Sequence, residues 1–455
     1  MKLRSYFERF EGKRIAVLGL GVSNRPLVRL LLQHGLDVTG CDRTPREKLD
    51  AEVLELERMG ATLRVGDGYL DGLTADVVFR TPGMLPTRPE IRALAESGAE
   101  VTSEMEVFFE VCPCMTVAVT GSDGKTTTTT LIAKMLEAEG RRVFLGGNIG
   151  TPLLPLADTM EESDVAVVEL SSFQLMDMKR SSHVAVITNL APNHLDMHTD
   201  MAEYVDAKKN IYCHQTAADV LVLNHDNEIT DSLQPEAKGN VRLFSRKENL
   251  LKGVCLRDGV IYRDGEAVLR QEEILLPGIH NVENYMTAIA ATQGLVSDES
   301  IRQVARTFGG VEHRIELVRV KDGVSYYNDS IASSPTRTIA GLRSFHQKII
   351  LIAGGYDKHI PYDVLGPEIC EHVKTLVLTG ATAPAIRASV EAAAEQGMQS
   401  PEILAEEYFF AAIRTAAAQA SEGDVVMLSP ASASFDHFKN FMERGEAFRQ
   451  EVMKL

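Results

Sequence analysis

The chain has 455 residues, 44% hydrophobic and 24% charged, a length and composition that suit about three globular domains rather than one. Its formal net charge of −17 argues against general nucleic-acid or membrane-surface binding, because phosphate backbones and anionic headgroups select basic faces. The six cysteines (Cys41, Cys112, Cys114, Cys213, Cys255, Cys370) show no C-x-x-C spacing and read as reduced thiols of a cytoplasmic protein. No apolar leader and no run of ~18 uncharged apolar residues is seen, so neither a signal peptide nor membrane insertion is expected.

In chain order, the first element is RIAVLGLG at 14–21, which leads through a helical segment to a second strand ending at Asp42. This predicts a dinucleotide-type unit in which Gly19 and Gly21 make the turn and Asp42 faces a ribose. Asn24 stands where the third glycine would fall, so a turn without ligand and a nicotinamide oxidoreductase both stay open here. A domain boundary is expected near 103–112, before a new strand at 115–122.

That strand runs into TGSDGKTTTTT at 120–130, and the following helix is closed by Gly140. A glycine turn between strand and helix aims backbone amides and the positive helix end at an anion. Gly121 and Gly124 permit the turn, Ser122 and Asp123 lie between them, Lys125 supplies a cation, and Thr126 is a natural magnesium ligand. Only two residues separate the glycines, against four in the common phosphate loop, yet the context favours a nucleoside triphosphate. Thr127 is a further candidate for phosphate contact, and the rest of the run is assigned to a helix that leans on tertiary contacts.

Val- and Ile-rich runs follow at 164–172, 183–190, 348–355, 373–380 and 424–430, separated by helical lengths, as in parallel α/β sheets. Glu169 ends one run, where ligands of parallel sheets gather. His194 and His198 are four apart, which suggests zinc, but APN and Asp196 look like loop rather than a helical pair. Lys208 and Lys209 look like surface helix lysines by themselves. Asn281 and Asn284 share one helix face, and Gly309–Gly310 form a second expected boundary at 307–314.

Taken together, GGNIGTPL (146–153), VVELSSFQL (167–175), ITNLAPNHLDMH (187–198), YVDAKKNIY (204–212), LPGIHNVENYMTAIA (276–290), GGVEHRIE (309–316), YNDSIASSPTRTIAGL (327–342) and LIAGGYDK (351–358) resemble the Mur ligases, over nearly the whole chain. The C-terminal LSPASASFDHFKNFMERGEAF (428–448) resembles the member that adds D-glutamate. The resemblance implies an α/β protein of three domains: a Rossmann-like UDP-substrate domain (1–106), a central phosphate-loop ATPase (107–310) and a Rossmann-like amino-acid domain (311–455). It implies ATP-dependent amide synthesis through an acyl phosphate, with UDP-N-acetylmuramoyl-L-alanine and D-glutamate as substrates, by a cytoplasmic monomer.

Residue by residue, it implies that Thr126 and Glu169 bind one magnesium, and that His194 with a carbamylated Lys208 binds a second. Lys125 joins Glu169, His194 and Lys208 as catalytic groups. Asn281, Asn284, Arg314 and Asp329 would meet the nucleotide. Val22, Ser23, Asp42, Arg43 and Thr81 would meet the UDP handle, and Asn148 and Gln174 the muramoyl portion. Ser333, Lys358, Ser434, Phe435 and Phe441 would surround D-glutamate. An oxidoreductase built on Gly19 and Gly21 leaves Lys125 and all later motifs without a role.

Overall fold

All seven apolar runs form strands, and almost every residue in them is buried, as in parallel sheets covered by helices on both faces. The computed structural model describes residues 2–191, 198–358 and 360–455. His194 therefore lies outside the described residues.

Three sheets organise the chain, each the centre of an α/β domain. The first has five parallel strands, β1 Ile15–Leu18, β2 Val38–Asp42, β3 Thr62–Val65, β4 Val77–Arg80 and β5 Glu100–Thr102, in the order β3-β2-β1-β4-β5. The second begins with β6 Met115–Thr120, β7 Val143–Gly147, β8 Val165–Glu169, β9 Val184–Ile187, β10 Val220–Asn224 and β11 Asn240–Ser245, and ends with β12 Val254–Arg257, β13 Val260–Arg263 and β14 Glu266–Arg270. Its order is β14-β13-β12-β11-β10-β9-β6-β8-β7, parallel except for the β12-β13-β14 meander. The third comprises β15 Glu316–Lys321, β16 Val324–Asn328, β17 Ile349–Ala353, β18 Val373–Leu378, β19 Glu402–Ala405 and β20 Val425–Leu428, in the order β15-β16-β20-β17-β18-β19. Only β15 runs antiparallel there.

By packing, the chain condenses into two compact units. One holds the first two sheets, Met1–Glu272 with Glu283–Val304; the other holds the third sheet, Glu273–Val282 with Ala305–Leu455. One apolar core in the first unit joins aromatic residues of the N-terminal turn (Tyr6, Phe7, Phe10) to Phe79, Phe108 and the interior of β8 and β9. Helix Glu104–Val111 starts with the Ser103 hydroxyl accepting from the Glu106 amide, and it delivers the chain to β6. Among the described residues, no helix is long and apolar enough to cross a membrane, and the six cysteines are free.

Candidate active site

The glycine turn after β6 takes its shape from two close approaches. Gly121 has φ 149°, and a Cβ there would overlap the Thr188 hydroxyl; Gly124 has φ 75°, and a Cβ there would overlap the Asn284 side-chain oxygen. Both positions need glycine for space as well as for conformation. The amides of Ser122 and Asp123 donate to the backbone and side-chain oxygens of Asn189, each at 2.9 Å. The Ser122 hydroxyl donates to Ala191 O at 2.9 Å and lies 3.1 Å from the Tyr204 hydroxyl. Ser122 and Asp123 thus brace the loop against the segment after β9. The amides of Lys125, Thr126 and Thr127, in the first turn of helix Lys125–Ala138, are the ones an anion at the helix end would meet.

The threonine run divides by hydrogen bonding. Thr129 and Thr130 donate back to the carbonyls four residues earlier, at 2.7 and 2.8 Å, and Thr128 donates to Asn284 Oδ1 at 3.3 Å. Back-bonding of this kind satisfies the Thr129 and Thr130 hydroxyls but lends a helix no stability, so the run still leans on tertiary contacts such as that of Thr128 with Asn284. Thr126 and Thr127 stand nearest the loop. Lys125 folds over the turn, its Nζ donating to Gly121 O at 3.0 Å and Ser122 O at 2.8 Å.

Two neighbouring groups complete this end of the sheet. Glu169 closes β8 and is 1% exposed; its Oε1 accepts from Asn148 Nδ2 at 2.8 Å, while Oε2 is buried with no hydrogen-bond partner among the described residues. A buried carboxylate oxygen left this way is suited to a cation. Lys208, the apparent surface lysine, is 1% exposed: Nζ donates to Thr120 Oγ1 at 3.0 Å and Gly121 O at 2.9 Å and lies 4.8 Å from the Tyr204 ring centre. Burial pushes its ammonium well below the usual lysine range; the Lys125 charge adds to this and Glu169 opposes it. Lys209 instead points outward to Glu236 at 2.9 Å. Helix Met201–Lys209 thus separates two lysines that the sequence alone does not distinguish.

Among the described residues no three His, Cys, Asp or Glu side chains cluster as a metal site. A magnesium ion fits the donors that are present, the Thr126 hydroxyl and the orphaned Glu169 oxygen, provided phosphate oxygens and water fill its remaining positions. His198 serves packing: it stacks on Phe173 with ring centres 5.3 Å apart, meets Tyr204 edge-on, and its Nε2 lies 2.9 Å from the Ser172 hydroxyl. Gln174 forms a capping box with Ser171, with its Oε1 accepting from the Ser171 amide and hydroxyl, each at 2.9 Å.

At the first sheet, Gly19 (φ 83°) admits Thr81, whose Cγ2 would lie 2.8 Å from an added Cβ. Asp42 turns inward: its two oxygens accept from the Leu20 amide at 2.7 Å and the Thr44 amide at 2.8 Å. Burial raises its carboxyl, but these amides, the Thr44 hydroxyl and the Arg43 charge together hold it below the ordinary aspartate range. Asn24 explains the missing third glycine, since its Nδ2 donates to Leu18 O and Gly19 O, at 3.2 and 2.9 Å, and ties the helix start to the turn. Val22 and Arg43 are exposed, and Ser23 and Thr81 are half-buried.

In the second unit, Asp329 is buried at the end of β16, accepting from Ser429 Oγ at 2.7 Å and the Ile315 amide at 3.3 Å. Burial pushes its carboxyl up to about 7 against the pull of these donors and of the Arg314 charge. His313 (φ 63°) and Ile315 (φ 43°) hold Arg314 in a turn with two left-handed residues, a costly conformation for β-branched isoleucine. Asn281 donates to Pro277 O at 2.6 Å. Lys358 Nζ sits 5.4 Å from the Phe435 ring centre, and Tyr356 meets the same ring edge-on, an exposed ammonium and aromatic group beside buried Ser434. Phe441 opens the last helix, Ser330 Oγ donating to its carbonyl at 2.8 Å, and half-buried Ser333 lies on the loop after Asp329.

Sequence reasoning did not single out Arg444. It is buried, and its guanidinium donates to Ser330 Oγ (3.0 Å), Ser330 O (2.9 Å), Ala433 O (2.9 Å) and Ser432 O (3.0 Å), fastening loop 430–434 to the last helix. Flanked by charged residues in MERGE, this arginine gave no sign in the sequence that it points into the protein.

The chain matches the family model described as Mur ligase middle domain over residues 119–292, and that described as Mur ligase, glutamate ligase domain, over 313–432. It is 53% identical to a UDP-N-acetylmuramoylalanine--D-glutamate ligase of Acetivibrio thermocellus, across 99% of this chain and 98% of that protein. A protein of the same name from Ruminiclostridium cellulolyticum is 49% identical across 100% of this chain and 99% of its own. Among solved structures, the UDP-N-acetylmuramate-alanine ligase of Thermotoga maritima shares the fold, with a TM-score of 0.60 at 19% identity over 97% of this chain and 99% of its own. So does a MurF ligase of Thermotoga maritima in complex with ADP, with a TM-score of 0.56 at 16% identity over 92% of this chain and 95% of its own.

Proposed function

We infer the activity from membership: the chain belongs to the Mur ligase family, among the UDP-N-acetylmuramoylalanine--D-glutamate ligases. It is an ATP-dependent ligase that joins D-glutamate to UDP-N-acetylmuramoyl-L-alanine in peptidoglycan precursor synthesis. The observation that carries this reading is 53% identity across both whole chains. Its proposed setting is the cytoplasm, as a monomer.

The chemistry meets the site as follows. A carboxylate oxygen of the muramoyl-alanine bonds to the γ-phosphorus as the bond to ADP breaks. The D-glutamate nitrogen then bonds to the acyl carbon, phosphate departs with the electron pair, and the amine loses a proton. Two anions meet in the first step, so charge at the loop dominates. We assign the outer phosphates to Lys125 and the first-turn amides of helix Lys125–Ala138, a reading supported by their position at the helix start. We assign Thr126 and Glu169 to one magnesium ion, and His194 with carbamylated Lys208 to a second. Bound magnesium would supply charge neutralisation at the phosphates. Burial of Lys208 between Gly121 O and Thr120 fits it for such a role better than a solvent-facing lysine would be. Asn281, Asn284, Arg314 and Asp329 are proposed nucleotide contacts. Val22, Ser23, Asp42, Arg43 and Thr81 are proposed for UDP, Asn148 and Gln174 for the muramoyl portion, and Ser333, Lys358, Ser434, Phe435 and Phe441 for D-glutamate.

The test is phosphate release from ATP. It should require UDP-N-acetylmuramoyl-L-alanine and D-glutamate together; equal turnover with L-glutamate or L-alanine would overturn the assignment.

A further inference from the structure

Among the described residues, Arg80 is the largest side chain buried to below 2% exposure. It ends β4, one residue before Thr81. Its Nη1 donates to the carbonyls of Thr81, Pro82 and Met84, at 3.3, 3.3 and 2.9 Å. Its Nε donates to Asp177 Oδ2 at 3.2 Å, Nη2 donates to Asp177 Oδ1, and Nη2 also reaches Phe173 O at 3.3 Å. One planar guanidinium thus grips two loops from two different sheets. Loop 81–84 leaves the strand-end edge of the first sheet, where Thr81 packs against Gly19 and its amide donates to Leu18 O at 3.0 Å. Segment 173–177 follows Glu169 by a few residues and contains Gln174.

Segment 173–177 is itself held to the catalytic end of the second sheet. The Leu170 amide donates to Val119 O at 2.9 Å, Thr120 Oγ1 donates to Leu170 O at 2.8 Å, and Asn210 Nδ2 donates to Leu175 O at 2.9 Å. Asn210 lies two residues beyond Lys208, so the chain of contacts runs from the glycine turn of the first sheet to the buried lysine beside the phosphate loop. An arginine is the side chain able to make it, since five donors in a fixed fork can serve carbonyls on one side and a carboxylate on the other.

We propose that Arg80 is a positioning residue that sets the span between the nucleotide handle and the carboxylate to be activated, by locking loop 81–84 to segment 173–177. This rests on the functional reading above, in which those two loops meet opposite ends of one elongated substrate. A substrate anchored at both ends gains from correct spacing, whereas a ligand touching one end does not.

Asp177→Asn tests it, because it weakens the lock while leaving Arg80 and its grip on loop 81–84 in place. Calorimetry with UDP alone should give an affinity within twofold of the wild type. UDP-N-acetylmuramoyl-L-alanine should bind about tenfold more weakly, with the KM for ATP unchanged. Arg80→Lys, which cannot fork between carbonyls and carboxylate, should also weaken the full substrate about tenfold; if it does not fold, Asp177→Asn decides alone. Unchanged binding of the full substrate to Asp177→Asn, or equal loss for UDP and the full substrate, would overturn the proposal. Wild-type protein that turns over no muramoyl substrate would instead overturn the functional reading, and the proposal with it.

Discussion

Glu104 gives the sharpest stability prediction. It is the first residue of helix Glu104–Val111, where a helix dipole favours the ionised acid, yet it is buried. Its Oε1 accepts from the Leu154 amide at 2.9 Å. Burial outweighs this bond and pushes the carboxyl up to about 7, from 4.5 in the unfolded chain. The folded protein therefore holds a proton that the unfolded chain releases between pH 4.5 and about 7. The stability that depends on that proton is complete below pH 4.5 and is lost as pH rises through about 7. At ~1.4 kcal/mol per pH unit of displacement, the loss is about 3 kcal/mol. Glu104→Gln keeps the oxygen that Leu154 needs and cannot ionise. Urea unfolding of wild type and variant should show near-equal stability at pH 4.5 and a variant ahead by about 2–3 kcal/mol at pH 8. A difference that does not change with pH would refute the reasoning.

Lys208→Met should abolish turnover yet raise unfolding free energy by ~1–3 kcal/mol in bicarbonate-free, metal-free buffer, since a buried ammonium is removed. Neither acceptor is stranded by this change, because Gly121 O keeps Lys125 Nζ and the Thr120 hydroxyl keeps Leu170 O; lower stability in a denaturation series would contradict it. Gly124→Ala should cost about 2–3 kcal/mol, combining left-handed strain with displacement of Asn284. In an Asn284→Ala background that cost should shrink by about 1 kcal/mol, and equal costs in both backgrounds would rule out the contact. Arg444→Met should raise the KM for D-glutamate about tenfold through a loosened loop 430–434 and leave the KM for ATP unchanged; steady-state kinetics with each substrate varied reads the split.

The strands and turns of the parallel core were legible because β-rich apolar runs and glycines carry local meaning. Predicted runs at 115–122 and 348–355 became β6 Met115–Thr120 and β17 Ile349–Ala353. The meander β12-β13-β14 escaped notice, since its strands are short and mix charged with apolar residues. So did the allegiance of Glu273–Val282, which packs with the second unit although the chain returns to the first at Glu283. The glycine spacing showed that Lys125 opens a helix after a tight turn, but nothing in the sequence showed that Lys208 is buried and Lys209 outward. Burial of a charge depends on distant acceptors, here Thr120 and Gly121, 88 and 87 residues away. Arg80 and Arg444 were invisible for the same reason. Asp42 shows the converse: its place at the end of β2 was legible, while the turn of its two oxygens to Leu20 and Thr44 was not.

The order β9-β6-β8 in the second sheet has a metric consequence. The glycine turn leaves β6, Glu169 closes its neighbour on one side, and Thr188 and Asn189 follow its neighbour on the other. Adjacent strands are held ~4.8 Å apart by their backbone hydrogen bonds, whatever side chains they bear. The separation of loop, carboxylate and bracing segment is therefore a repeat distance of the sheet, in the manner of a lattice constant. Side chains on these strand ends can be exchanged without rescaling the frame on which they are mounted.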